Sequence, residues 1–121
     1  MTPDHKQVLI VEDEKPLAHA LQLKLEHEGF AVHIASNGQE CLDLIDGQKF
    51  DVVLLDLMMP VMDGFQVLEH IGSGPSHPVV FVLSNLSQRD DEQRVLALGA
   101  KRYFIKSDTP LSTIIEEVKK A

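Results

Sequence analysis

The sequence has a single cysteine, Cys41, so it cannot form an internal disulfide, and no Cys/His cluster has the spacing of a zinc site. A reducing, cytoplasmic setting is expected. Positive charge is also scarce: 11 Lys and Arg stand against 19 Asp and Glu, for a formal charge of −8, where a nucleic-acid-binding domain would carry a basic face or stripe. Direct DNA or RNA binding is not expected. Long hydrophobic runs are missing too. The first, Val8 to Val11, is ended by Glu12, Asp13 and Glu14, well short of the roughly 7–15 apolar residues of a signal peptide or the roughly 20 of a membrane span. No membrane association is expected. Internal repeats and long blocks of like charge are absent, as is Gly-x-x-x-x-Gly-Lys-Ser/Thr, which excludes a P-loop NTPase.

What remains is average globular composition, 44% hydrophobic and 25% charged over 121 residues, enough for one core and one domain, residues 1–121. Apolar segments of strand length recur at Val8–Val11, Phe30–Ile34, Val52–Leu55, Val79–Leu83 and Tyr103–Ile105. Four are nearly continuous runs, the pattern of strands covered on both faces, and only Phe30–Ile34, broken by His33, resembles an edge. Helical spacing fills the gaps. Leu17, Leu21 and Leu25 share a face, with Pro16 in the first turn and Gly29 suited to the C-terminal cap. A second helix starts at Ser36 or Asn37 and carries Cys41, Leu44 and Ile45. Gly64 to Ile71 follows an Asp63 cap, with Phe65, Leu68 and Ile71 inward. Gln88 to Leu98 is mostly polar, with Val95 and Leu98 on its buried side. Thr109 is expected to cap the last helix, with Pro110 at its first position and Leu111, Ile114, Ile115 and Val118 at helical spacing before Lys119 and Lys120. Five strands alternating with five helices, about 24 residues per unit, predict an α/β fold with an open, doubly wound parallel sheet. Ligands of such sheets bind beyond the carboxyl ends of the strands.

Four groups lie at that end. The first strand runs into Glu12 and Asp13, the third into Asp56, the fourth into Ser84 and the fifth into Lys106. Singly, the acidic pair could cap a helix, Ser84 could be a loop hydroxyl and Lys106 a solvated charge. Asp56 is harder to dismiss, because it interrupts an apolar stretch where an unpaired charge is costly. Three carboxylates about 4 Å apart repel by roughly 4 kcal/mol per pair at an effective dielectric of 20, so a cation must sit among them. Lys106 supplies one positive charge and a divalent ion two more; oxygen-only ligands select Mg²⁺, with Mn²⁺ as a substitute. An ion beside a carboxylate, with a lysine and a hydroxyl nearby, is also a phosphoryl-acceptor arrangement. Asp56, central in the sheet, is the nucleophile that this arrangement suggests, and Ser84 would hydrogen-bond a phosphoryl oxygen.

These residues resemble the receiver domain of two-component response regulators over essentially the whole length. The matching segments are Val8-Leu9-Ile10-Val11-Glu12-Asp13-Glu14, Asp56-Leu57-Met58-Met59-Pro60 with Asp63-Gly64, Val82-Leu83-Ser84, and Gly99-Ala100 with Tyr103-Phe104-Ile105-Lys106. The resemblance implies a flavodoxin-like (βα)5 fold with strand order 2-1-3-4-5. It implies Asp56 as phosphoacceptor, Asp13 and Glu12 as the acidic metal pair with Glu12 acting through water, and the Met58 carbonyl completing the Mg²⁺ shell. Ser84 and Tyr103 correspond to the switch hydroxyl and the rotating aromatic, Lys106 to the family lysine. The implied donor is a phosphohistidine on a sensor histidine kinase or phosphotransfer protein. The implied output is a remodelled face of the fourth helix, fifth strand and fifth helix, read by a partner or effector domain outside this chain. Such a protein is a switch, catalysing only its own phosphorylation and dephosphorylation.

Three positions depart from the family pattern. Ser84 stands for the more frequent Thr, Asn85 for a smaller Ala or Gly, and Ser107 for the Pro after the lysine, where a cis bond without proline would cost about 2.5–4 kcal/mol. Other readings fit less well. A flavodoxin-type binder needs a glycine- or hydroxyl-rich phosphate loop where Glu12-Asp13-Glu14 would repel phosphate, and an aspartyl-phosphate hydrolase typically has a second acid where this chain has Met58. A receiver-like module that binds partners without phosphorylation remains the main alternative.

Overall fold

The computed structural model describes residues 6–59, 61–72, 77–85 and 89–121; Pro60 and Gln88, both named above, lie outside the described residues, as do residues 1–5. In chain order the elements are β1 (Gln7–Val11), α1 (Lys15–His27), β2 (Ala31–Ala35), α2 (Gly38–Gly47), β3 (Val52–Asp56), α3 (Gly64–Ile71), β4 (Val79–Ser84), α4 (Arg89–Ala97), β5 (Arg102–Ile105) and α5 (Leu111–Lys120), with a 3-10 turn at Lys106–Asp108. The five strands form one parallel sheet in the order β2-β1-β3-β4-β5. Strand order reverses at β1, which has β2 on one side and β3 on the other, so a crevice opens beyond the ends of β1 and β3.

Alternation along the three central strands divides the core into two layers. Leu9, Val11, Val53, Leu55, Val80 and Val82 face Cys41 and Leu42 of α2, Val67 and Leu68 of α3, and Val95 of α4. Val8, Ile10, Val52, Leu54, Phe81 and Leu83 face Ala18, Leu21 and Leu25 of α1 and Ile114, Ile115 and Val118 of α5. Because both faces are covered, these strands carry no polar side to interrupt their apolar runs.

Several local expectations hold for identifiable reasons. Gly29, at φ +97°, ends α1 in a Schellman pair: its N–H donates to the Glu26 carbonyl at 3.0 Å and that of Phe30 to the Leu25 carbonyl at 3.1 Å. Asn37 caps α2 by accepting from the Glu40 N–H at 2.9 Å. Asp63 caps α3 in a full capping box, accepting from the Gln66 N–H at 2.9 Å while its own N–H donates to the Gln66 side chain at 3.1 Å.

Others are corrected. β5 is an edge strand like β2, pairing only with β4, and of Tyr103, Phe104 and Ile105 only Phe104 is buried. A three-residue apolar run is too short to reveal alternation. In α3 the buried pair is Val67 and Leu68, with Phe65 and Ile71 partly covered at the margin. Thr109 does not cap α5. The residue before the helix is Pro110, extended at φ −62° and ψ 148°, whose carbonyl accepts from the Thr113 and Ile114 N–H groups at 3.0 and 3.4 Å. Proline's fixed φ suits a cap and a first helical residue equally, and only ψ separates them.

Candidate functional site

The carboxyl ends of the strands bring the expected groups together. Glu12 follows β1 and its N–H donates to the Ala35 carbonyl at 3.0 Å, extending the ladder with β2 and directing the residue into the crevice. The cap of α1 is Glu14, which makes no side-chain capping bond; Glu12 and Asp13 are therefore not helix caps. Asp56 is the last residue of β3, paired in register with Leu83, and its Oδ1 accepts from the Met58 N–H at 3.1 Å. Glycine holds the next element against it. A Cβ on Gly64 would lie 2.6 Å from the Asp56 carbonyl oxygen and 2.8 Å from the Leu57 Cα, so α3 can start this close to the end of β3 only because residue 64 has no side chain.

Lys106 opens the 3-10 turn after β5 and reaches across to β1 and β3. Its Nζ lies 2.8 Å from Glu12 Oε1, 3.2 Å from Asp56 Oδ2 and 3.2 Å from Glu14 Oε1. Glu12 and Asp56 are only 2% and 3% exposed, so the pairing answers the desolvation cost anticipated for a charge inside an apolar stretch. Burial pushes the Glu12 carboxyl up to about 7, helped by the nearby Asp56 charge and opposed by its bond to Lys106. Burial likewise raises Asp56, with Lys106 opposing. For Lys106, burial disfavours the ammonium, but the Glu12 bond and the Asp56 charge outweigh it and hold the group above the ordinary lysine value.

Oxygens of Glu12, Asp13 and Asp56 lie within 4.8 Å of one another. Asp13 is the exposed member, on an open cleft of about 450 Å³ whose wall also includes Leu57, Met58, Met59, Asp63 and Phe65. The donor set fits a hard divalent cation. All three ligands are carboxylates, and one ammonium balances only a third of their formal charge.

Ser84 is completely buried at the end of β4, and Tyr103 on β5 is half-buried. Their hydroxyls share a hydrogen bond. Burial raises the Tyr103 phenol, the bond to Ser84 opposes this, and Asp91 and Glu92 of α4 add to it. Asn85 is exposed just beyond Ser84, and Ser107 is exposed in the 3-10 turn. The described peptide bonds are all trans, including Lys106–Ser107.

Comparison with known proteins decides the family. The response regulator receiver domain model matches residues 8–119. The chain belongs to the receiver domain family. It is 39% identical over 99 residues to the uncharacterized transcriptional regulatory protein YkoG of Bacillus subtilis (strain 168), a match over 82% of this chain and 43% of that protein. The chain thus spans less than half the length of this curated relative. Among solved structures, the receiver domain of the Francisella response regulator 1452 superposes with a TM-score of 0.89 at 28% identity, covering 96% of this chain and 95% of that one. The Thermotoga maritima response regulator TrrA, solved in complex with Mg(2+)-BeF, gives a TM-score of 0.82 at 30% identity, covering 95% of this chain and 97% of that one. Receiver domains are signalling switches, and the sheet order and crevice of this one follow the family fold.

Two features of the receiver were missed from sequence. Glu14 was seen only as part of the acidic run, although it is the third carboxylate on Lys106; its adjacency to Glu12 and Asp13 was the available signal. Arg94 of α4 stacks over the Phe65 ring of α3 at 4.0 Å, a contact between helices that no local motif announces.

Proposed function

We propose that this chain, residues 1–121, is the phosphoacceptor receiver of a two-component response regulator, taking a phosphoryl group from a histidine kinase or phosphotransfer protein onto Asp56. The observation that carries the reading is Lys106 Nζ at 3.2 Å from Asp56 Oδ2, beside a three-carboxylate cluster. Asp56 Oδ2 is the nucleophile, and Oδ1 is held by the Met58 N–H. Glu12 and Asp13, with Asp56 and the Met58 carbonyl, would hold Mg²⁺ or Mn²⁺. A bound Mg²⁺ would neutralise charge on the transferring phosphoryl oxygens, a task Lys106 shares from the opposite side. Ser84 would bond a phosphoryl oxygen, giving up its bond to Tyr103. The phenol would then take a new position and alter the α4-β5-α5 face, a population shift biased by the phosphoryl group. Output would pass to a partner or effector domain outside these residues, in the cytoplasm.

The test is incubation with acetyl phosphate and Mg²⁺ followed by intact-mass measurement. One added phosphoryl group in the parent chain and none in Asp56→Asn is expected. An unlabelled parent, or equal labelling of the variant, refutes the reading in favour of a phosphorylation-independent interaction module.

A further inference from the structure

We infer that Glu14 is a positioning residue for phosphoryl transfer, a placeholder carboxylate that occupies the Lys106 ammonium until a phosphoryl oxygen displaces it. The inference rests on the reading of Asp56 as acceptor. An ammonium has three N–H donors, and Lys106 faces three carboxylates, on Glu12, Asp56 and Glu14. Two of these cannot move away cheaply, since the Glu12 and Asp56 side chains are 1% and 3% exposed at strand ends. The Glu14 side chain is 60% exposed and can exchange the ammonium for water at little cost. Its backbone is fixed, with the N–H donating to Glu12 Oε2 at 3.1 Å. Its side chain makes no capping bond to α1. The carboxylate is therefore tethered at the mouth, and among the described residues its hydrogen-bond and ion-pair partner is Lys106.

Transfer from acetyl phosphate forms a bond from an Asp56 carboxylate oxygen to phosphorus and breaks the donor's P–O bond. The electron pair leaves with acetate and no proton moves. The incoming oxygens need a Lys106 donor, and the one facing Glu14 is the one that can be released. Glu14 thus competes with the phosphoryl group for the same ammonium. An exposed pair of this kind corresponds to roughly 1.5- to 5-fold in rate.

Two variants separate competition from simple repulsion of an anionic donor. Glu14→Gln removes the charge, whereas Glu14→Asp keeps it but withdraws the carboxylate from Lys106 by one methylene. Both are expected to label at Asp56 roughly 1.5- to 5-fold faster than the parent at subsaturating acetyl phosphate. Both should also shift the NMR signal of the Lys106 ε-methylene in protein without donor or metal. Parent-like labelling by Glu14→Asp, slower labelling by either variant, or an unmoved Lys106 signal overturns the inference. If the parent itself is not labelled, the proposed function fails. The Lys106 signal then still decides whether Glu14 holds the ammonium.

Discussion

Replacing Asp13 by Asn should change the stability of this receiver in opposite directions with and without Mg²⁺. Carboxylate oxygens within 4.8 Å correspond to roughly 3.5 kcal/mol of repulsion per ionised pair at an effective dielectric of 20. Asp13, as the exposed member, feels a screened fraction of this, so its neutralisation should leave the metal-free protein equal or slightly more stable. With Mg²⁺ at about 100 times its dissociation constant, the parent gains about 2.7 kcal/mol by linkage. For 121 residues, with about 2.1 cal/mol/K of unfolding entropy per residue, that raises the melting temperature by about 10 °C. A variant binding tenfold more weakly gains about 1.4 kcal/mol at the same concentration, a rise of about 5 °C. The assay is a pair of thermal melts, in chelator and across a Mg²⁺ titration, followed by circular dichroism because the chain has no tryptophan. Equal Mg²⁺ shifts in the two proteins would refute the assignment of Asp13 as a ligand. A variant destabilised equally in both conditions would indicate a folding role instead.

Two further outcomes follow from the same geometry. Glu12, raised to about 7 from an ordinary 4.5, binds its proton more tightly in the folded chain, so its contribution favours folding below pH 4.5 and is lost as pH rises through 7. Metal-free parent should therefore lose up to about 3 kcal/mol relative to Glu12→Gln across that window, measured by urea unfolding at several pH values; a constant difference between the two proteins contradicts it. Gly64→Ala would force a methyl within 2.6 Å of the Asp56 carbonyl oxygen and should cost about 1–3 kcal/mol. Gly47→Ala, in open space at the end of α2, should be neutral or stabilising by up to about 1 kcal/mol, and equal effects of the two in urea melts would show that the contact at Gly64 is relaxed.

Legibility from sequence tracked how local each determinant is. The strand ends were readable because a charge after a buried apolar run has few physical explanations, and Glu12, Asp13, Asp56 and Lys106 do meet there, with Ser84 buried at the end of β4. Asp63 was readable because a capping box spans only four residues. The residues of β5 did not mark it as an edge, although the strand order implied by the family resemblance did, since its position is set by which strand comes last in the sheet. The Pro110 cap turned on one backbone angle. The Glu14 and Arg94 contacts join residues 92 and 29 positions apart, Glu14 with Lys106 and Arg94 with Phe65, and such pairings emerge only after the sheet has assembled.

The site is also where the fold departs most from its own rules. Elsewhere the described core is apolar and alternates cleanly; at the crevice it buries Glu12, Asp56 and Ser84. The loop that follows Asp56 holds Val61 at φ +73° with its side chain exposed, a left-handed conformation that costs a β-branched residue about 1–2 kcal/mol relative to glycine. Neither the buried acids nor the strained valine adds to the packing of the two layers. Both act against folding: Asp56 ends β3 and Val61 lies in the loop that follows it, while Glu12 follows β1. A divalent cation held by Glu12, Asp13 and Asp56, as proposed, would offset the carboxylate repulsion that Lys106 alone leaves uncompensated. Under the proposed function, a small charged ligand at the strand ends would act on groups set apart from the two apolar layers, and would bias one conformation over another without disturbing their packing.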